Sequence, residues 1–193
     1  MLFDSLLIIY FAYLFGSIPS GVIFAKLFSL GELNKIGSGN IGATNVLRTG
    51  NYLAAGLTLF FDFTKALIAI SICNIVNEDL IILSSTSILI GHIFPIWIKN
   101  FKGGKGFASF LGILFAMNVI LMVTVCIVWL IIFFKTKVSS LSTLISANLA
   151  GFYSLIILDF NTSFALLFLN LIVIFSHQEN IKRLVKGTEG KIL

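Results

Sequence analysis

The chain has 193 residues, 58% of them hydrophobic and only 11% charged, with a formal net charge of +5 and a mean hydropathy of +1.07. That composition excludes a soluble globular domain and makes lipid the solvent. The length holds about seven spans of roughly 20 residues joined by short loops. No room is left for a separate soluble domain, so residues 1–193 are expected to form one membrane-embedded domain.

In chain order, the first apolar run lacks the basic region and small-residue cleavage site of a signal peptide and is expected to stay in the mature chain. It covers about Ser5 to Phe28, and Gly16-Ser17-Ile18-Pro19-Ser20-Gly21 inside it predicts close helix approach and a kink. It leads to GSGNIGATNVLRTG, Gly37 to Gly50, a polar loop without a carboxylate. Glycines let successive backbone amides converge on an anion, and Arg48 adds a planar fork of donors suited to phosphate. A plain connector has no need of Asn40, Asn45 and Arg48 beside an apolar helix.

The second span, about Tyr52 to Val76, carries Asp62 and Lys65 on one helix face, and the pair is read as a structural ion pair locking helices. Asn77-Glu78-Asp79 ends it. The third span runs from about Leu80 to Ile98 and holds His92 ahead of Pro95, read as a structural histidine. A second loop follows from Lys99 to Gly106. It lacks the nucleotide-binding pattern, with Lys99 in place of the first glycine and Gly106 in place of the magnesium-holding hydroxyl residue. A simpler phosphate can still sit on its glycines and lysines.

Phe107 to Phe134 is apolar for 28 residues, longer than one span requires, and is divided near Asn118 into two short helices. Lys135-Thr136-Lys137 marks the next boundary. The sixth span covers about Ser139 to Leu158, Asp159-Phe160-Asn161 turns the chain, and the seventh covers about Thr162 to Ser176. The tail, His177 to Leu193, is basic and predicts a short interfacial helix ended by Gly187. Cys73 and Cys126 lie in apolar runs and read as small buried hydrophobes, with no disulfide and no metal site.

An N-terminus outside and a cytoplasmic C-terminus put twelve of the thirteen Lys and Arg in inside segments. Lys65 is the exception, within the second span, and the outside segments hold only Asp4, Glu78, Asp79 and Asp159. The net charge is thus an orientation signal and implies no nucleic acid. Both glycine loops and the tail then share the cytoplasmic face, where they form a composite site for something anionic. His177 and Asn180 share a helix face there, although His177 alone also reads as an interfacial histidine.

No nucleophile elbow and no metal-ligand spacing occurs, and neither histidine is followed by Asp at the fifth position, as in the common glycerolipid acyltransferases. An enzyme built this way works by positioning and charge neutralisation on a donor that arrives activated.

Three segments, GSGNIGATNVLRTG, GHIFPIWIKNFKGGKGFAS and HQENIKRLVKGTEGK, resemble the signature motifs of the bacterial acyl-phosphate:glycerol-3-phosphate acyltransferase family in order, face and spacing. With FDFTKA and VSSLS the resemblance spans nearly the whole chain. It implies an all-α integral membrane enzyme of the bacterial plasma membrane. The reaction would move a fatty acyl group from acyl phosphate to the 1-hydroxyl of glycerol 3-phosphate, giving lysophosphatidic acid and inorganic phosphate, with no cofactor. Two phosphates account for two cationic loops. By motif, Ser38, Gly39, Asn40, Asn45 and Arg48 should bind and orient glycerol phosphate, while Gly103, Gly104 and Lys105 cradle acyl phosphate. Ser142, His177 and Asn180 should complete the catalytic pocket. Asn180, with Glu179, has the alternative of holding the tail against the first loop.

The family's usual V-S-L-x-S is here Val138-Ser139-Ser140-Leu141-Ser142, which leaves Ser140 and Ser142 as alternatives for the site serine. Ala66 stands where the family usually has glycine. Proton removal falls to His177 or to a substrate phosphate. A chain this small can work as a monomer, surrounded by membrane lipid. The rival reading is a transporter of an organic phosphate, but such proteins place charges at the midplane of repeated halves, and no repeat is evident here.

Overall fold

In the computed structural model residues 2–192 are described; Met1 and Leu193, the ends of the expected domain, lie outside the described residues. The described residues form helices and loops without a strand. The helices are α1 (Leu2–Gly16), α2 (Ser20–Leu27), α3 (Ala43–Leu47), α4 (Tyr52–Val76) and α5 (Ile81–Ile93). They continue with α6 (Phe107–Met117), α7 (Val119–Thr136), α8 (Ser139–Ile157), α9 (Phe160–Ser176) and α10 (Gln178–Val185).

Four stretches are long and apolar enough to cross a membrane: Ser5–Leu27, Tyr52–Val76, Val119–Thr136 and Ser139–Ile157. The pair α9 and α10, bent by 63°, adds a fifth if taken as one broken span. With 13 and 11 residues, α5 and α6 are shorter.

Local chemistry sets the boundaries. Pro19 has no amide hydrogen and disfavours helical backbone before it, so the first apolar run breaks into α1 and α2. Three later helices begin on a side-chain cap: Asn51 Oδ1 accepts from the Ala54 amide at 2.9 Å, Asn118 Oδ1 from Leu121 at 2.9 Å and Asp159 Oδ1 from Thr162 at 3.0 Å. Asn118 divides the long apolar run because it offers the orphan amides of α7 an acceptor. Lys137, in the left-handed region at φ 62°, ends α7.

The chain packs as two compact units, Met1–Ala116 and Met117–Leu193. In the first, α1 crosses α5 closely: a methyl group on Gly16 would overlap the Ile88 carbonyl, and one on Gly91 the Tyr13 carbonyl. Beneath the first loop, Val46 and Ala54 are fully buried in a cluster with Phe24, Ala25 and Leu33. In the second unit, α8 turns a face of small residues inward, Ser146, Ala147, Ala150, Gly151 and Ser154, between α7 and α9. From α9, Leu166, Leu169 and Val173 are fully buried. Apolar side chains such as Phe152, Ile156 and Phe164 point outward, as a lipid solvent requires.

Candidate functional site

The first loop is assembled on one buried amide. Asn45 is only 1% exposed. Its Oδ1 accepts from the Ser38 amide at 3.1 Å, the Ser38 hydroxyl at 3.4 Å and the Arg48 guanidinium at 3.5 Å, and its Nδ2 donates to the Leu33 carbonyl at 2.9 Å. The expected ligands Ser38 and Arg48 are therefore gathered above the Asn45 side-chain oxygen. Gly37, at φ 52°, lets the chain turn there, and a side chain on it would strike both Asn45 and Arg48. The Gly39 amide closes a turn on the Ile36 carbonyl at 2.9 Å, and Asn40 follows, half-buried.

The second loop docks on the end of α5. The amides of Gly103 and Gly104 donate to the carbonyls of Ile93 at 2.9 Å and His92 at 3.0 Å, and the Tyr13 hydroxyl donates to Phe94 at 3.1 Å. The last carbonyls of α5, which have no partner within the helix, are thereby satisfied. Those two glycine amides are spent on α5, and the half-buried Lys105 follows them.

Between the two loops lies the ion pair expected from the sequence. Lys65 Nζ is 2.7 Å from Asp62 Oδ1, with both side chains 5% exposed. Lys65 also donates to the Ile18 carbonyl at 2.9 Å, at the break before Pro19, where the same oxygen accepts from the Ser20 amide at 3.1 Å. Ser109 donates to the Asp62 backbone carbonyl at 3.0 Å and lies 3.2 Å from His92 Nδ1. Because the serine proton goes to that carbonyl, Nδ1 must carry the proton between them. Residues 17–21, Ile41, the ion pair, His92 and Pro95 close around a narrow cleft.

In the second unit the tail centres on Glu189, a residue of the HQENIKRLVKGTEGK segment that is not among the expected site residues. Its Oε1 accepts from Ser140 at 2.7 Å and from Asn180 at 2.6 Å, and its Oε2 pairs with Arg183 at 2.6 Å. Burial pushes this carboxyl up, but the hydrogen bonds from Ser140, Asn180 and Arg183 and the Arg183 charge outweigh it, so its pKa lies below the usual range. The sequence signal was a lone carboxylate after Gly187 in a basic tail. Of the two candidate serines, Ser140 joins this cluster, whereas Ser142, fully buried, donates to the Val138 carbonyl of its own helix at 2.9 Å. Glu179 pairs with Lys182 at 2.9 Å.

His177 caps the end of α9, 4% exposed. Its Nδ1 lies 2.8 Å from the Val173 carbonyl and 3.1 Å from the Ser176 hydroxyl. A carbonyl can only accept, so Nδ1 carries a hydrogen, and the tautomer this selects for a neutral ring has its lone pair at Nε2. Among the described residues no group of His, Cys, Asp and Glu is arranged to hold a metal ion.

The profile of the family described as glycerol-3-phosphate acyltransferase matches residues 6–187. A glycerol-3-phosphate acyltransferase of Pelagibacter ubique is 42% identical over 180 residues, 93% of each chain. One of Roseobacter denitrificans is 44% identical over 182 residues, 93% of this chain and 90% of its own. Among solved structures, PlsY, an integral membrane glycerol 3-phosphate acyltransferase, in its glycerol 3-phosphate form is similar with a TM-score of 0.91 and 33% identity. That likeness covers 97% of this chain and 95% of the crystallised one. None of these similarities favours the transporter reading. The chain is an integral membrane acyltransferase and belongs to the glycerol-3-phosphate acyltransferase family.

Proposed function

We propose that the chain transfers a fatty acyl group from an acyl phosphate to the 1-hydroxyl of sn-glycerol 3-phosphate, giving lysophosphatidic acid and inorganic phosphate. The observation that carries this reading is the likeness, across nearly the whole chain, to an acyltransferase crystallised in its glycerol 3-phosphate form.

An acyl phosphate is a mixed anhydride, so the protein need supply no nucleophile. The acceptor hydroxyl attacks the acyl carbon, the bond from that carbon to the phosphate oxygen breaks, and phosphate leaves with the electron pair. His177 takes the hydroxyl proton at Nε2, a role supported by the proton fixed on Nδ1. Ser38, Gly39, Asn40 and Arg48 receive glycerol phosphate on the frame set by Asn45. The loop of Gly103, Gly104 and Lys105 receives the acyl phosphate, the two glycines docking it and Lys105 supplying charge. From the second unit, Asn180 and a serine at the start of α8 serve the same reaction: Ser142 by its place in the motif, or Ser140 by its bond to Glu189.

The distribution of basic residues supports seven crossings, with the N-terminus outside and the site on the cytoplasmic face of a bacterial plasma membrane. The chain acts as a single domain and a monomer. The test is phosphate release by detergent-purified protein given palmitoyl phosphate, with and without glycerol 3-phosphate, beside Arg48→Ala. Release that needs both substrates and is lost in the variant supports the reading. Folded protein that binds glycerol phosphate without turnover overturns it.

A further inference from the structure

We infer that Asp62, Lys65 and His92 are positioning residues for acyl transfer, linking the two substrate loops through one buried polar cluster. The inference rests on the assignment of glycerol phosphate to the first loop and acyl phosphate to the second.

Two arms leave the cluster. On one side Lys65 Nζ holds the Ile18 carbonyl at 2.9 Å, at the break between α1 and α2. Two residues past Pro19, Gly21 presses so closely on the Ile41 carbonyl of the first loop that a methyl group on it would overlap that oxygen. The position of the break is thus passed by backbone contact to the loop that carries Ser38, Asn40 and Arg48. On the other side the His92 ring lies directly under Gly104, where an added methyl group would overlap Nε2. The His92 carbonyl takes the Gly104 amide at 3.0 Å. The residue after Gly104 is Lys105.

Asp62 joins the arms. Its carboxylate pairs with Lys65 at 2.7 Å and lies 3.5 Å from His92 Nδ1, and its backbone carbonyl holds Ser109, the other partner of that ring nitrogen. A buried ion pair is a poor source of stability, since well-packed apolar residues of the same volume do as well. Its fixed hydrogen-bond geometry suits the task of setting the separation of two loops whose ligands must meet with the hydroxyl aligned on the acyl carbon, where an error near 1 Å costs about a hundredfold in rate.

The experiment is steady-state kinetics of the purified full chain, with each substrate varied in turn, for Lys65→Met and His92→Asn. Thermal melting establishes that each variant is folded. Lys65→Met is expected to raise KM for glycerol 3-phosphate about fivefold or more with KM for palmitoyl phosphate unchanged, and His92→Asn to do the reverse. A merely structural role lowers the folded fraction and hence kcat, and moves neither KM; that result overturns the inference. If the split appears with the substrates exchanged, positioning stands and the assignment of substrates to loops fails, which Arg48→Ala and Lys105→Ala test directly. If Lys65→Met does not fold, Asp62→Asn with Lys65→Met removes both charges and strands neither. The same rise in the glycerol phosphate KM supports the inference there, and an unchanged value overturns it.

Discussion

Glu189 and Ser140 are 49 residues apart in sequence and 2.7 Å apart in space. The bond fastens the end of the tail to the first turn of α8, and Asn180 and Arg183 of α10 share the same carboxylate. Replacing Glu189 by Ala strands three buried or half-buried donors and should cost about 2–3 kcal/mol. Glu189→Gln keeps an acceptor for Ser140 and Asn180 and should cost about half as much. Thermal unfolding in detergent measures both; equal losses would mean that the Arg183 pair alone matters.

The same carboxylate gives the tail a pH dependence. The folded pKa of Glu189 lies below its ordinary value of 4.5. A depressed carboxylate contributes stability that is fully present above 4.5 and is lost as the pH falls through the folded value. The protection of the amides of residues 186–192, taken relative to their intrinsic exchange rates at each pH, should therefore fall on acidification below 4.5 in the parent chain, while Glu189→Gln shows no such step. A step of the same size in both would assign it to another group.

Asn45 organises the first loop while remaining 1% exposed itself. Asn45→Ala removes the acceptor shared by Ser38 and Arg48 and leaves the Leu33 carbonyl with the Ile36 amide alone. Glycerol 3-phosphate affinity should fall by about tenfold, the equivalent of roughly 1.4 kcal/mol, together with some stability. Calorimetric titration checks this, and Arg48→Ala should lose at least as much affinity with little change in melting temperature.

The two serines of α8 can be separated. The Ser142 hydroxyl satisfies only its own helix, where Ala is an even better helix former, so Ser142→Ala should leave the unfolding free energy within about 0.5 kcal/mol of the parent. Ser140→Ala should destabilise the tail by about 1 kcal/mol. Turnover of the two variants then assigns the site serine: a large loss of activity in the stable Ser142→Ala protein places Ser142 against substrate.

Much of the fold was legible because it rests on local chemistry. Tyr52–Val76 was bounded by composition alone, the apolar run from Phe107 divides where Asn118 can cap α7, and Gly187 stops α10 at φ 69°. The ion pair at Asp62 and Lys65 followed from helix periodicity. What the sequence hid is long-range: nothing in the FKGGKG segment reveals that two of its amides are taken by the end of α5. Glu189 looked like one acid in a basic tail because its partner Ser140 lies at the other end of a helical hairpin. The choice between Ser140 and Ser142 turns on which hydroxyl bends back to its own helix, a matter of rotamer rather than motif.

The bond from Lys65 to Ile18 also has a history in time. The two residues are 47 positions apart, so at ribosomal rates of about 5–20 residues per second Ile18 is made roughly 2–10 s before the ammonium that will hold its carbonyl. During that interval the Ile18 carbonyl has only the local Ser20 amide as a donor, and its second lone pair has no partner that hydrocarbon can supply. The nascent segment must keep its break near water or the insertion machinery until α4 arrives, which makes the order of synthesis part of how this enzyme reaches its membrane fold.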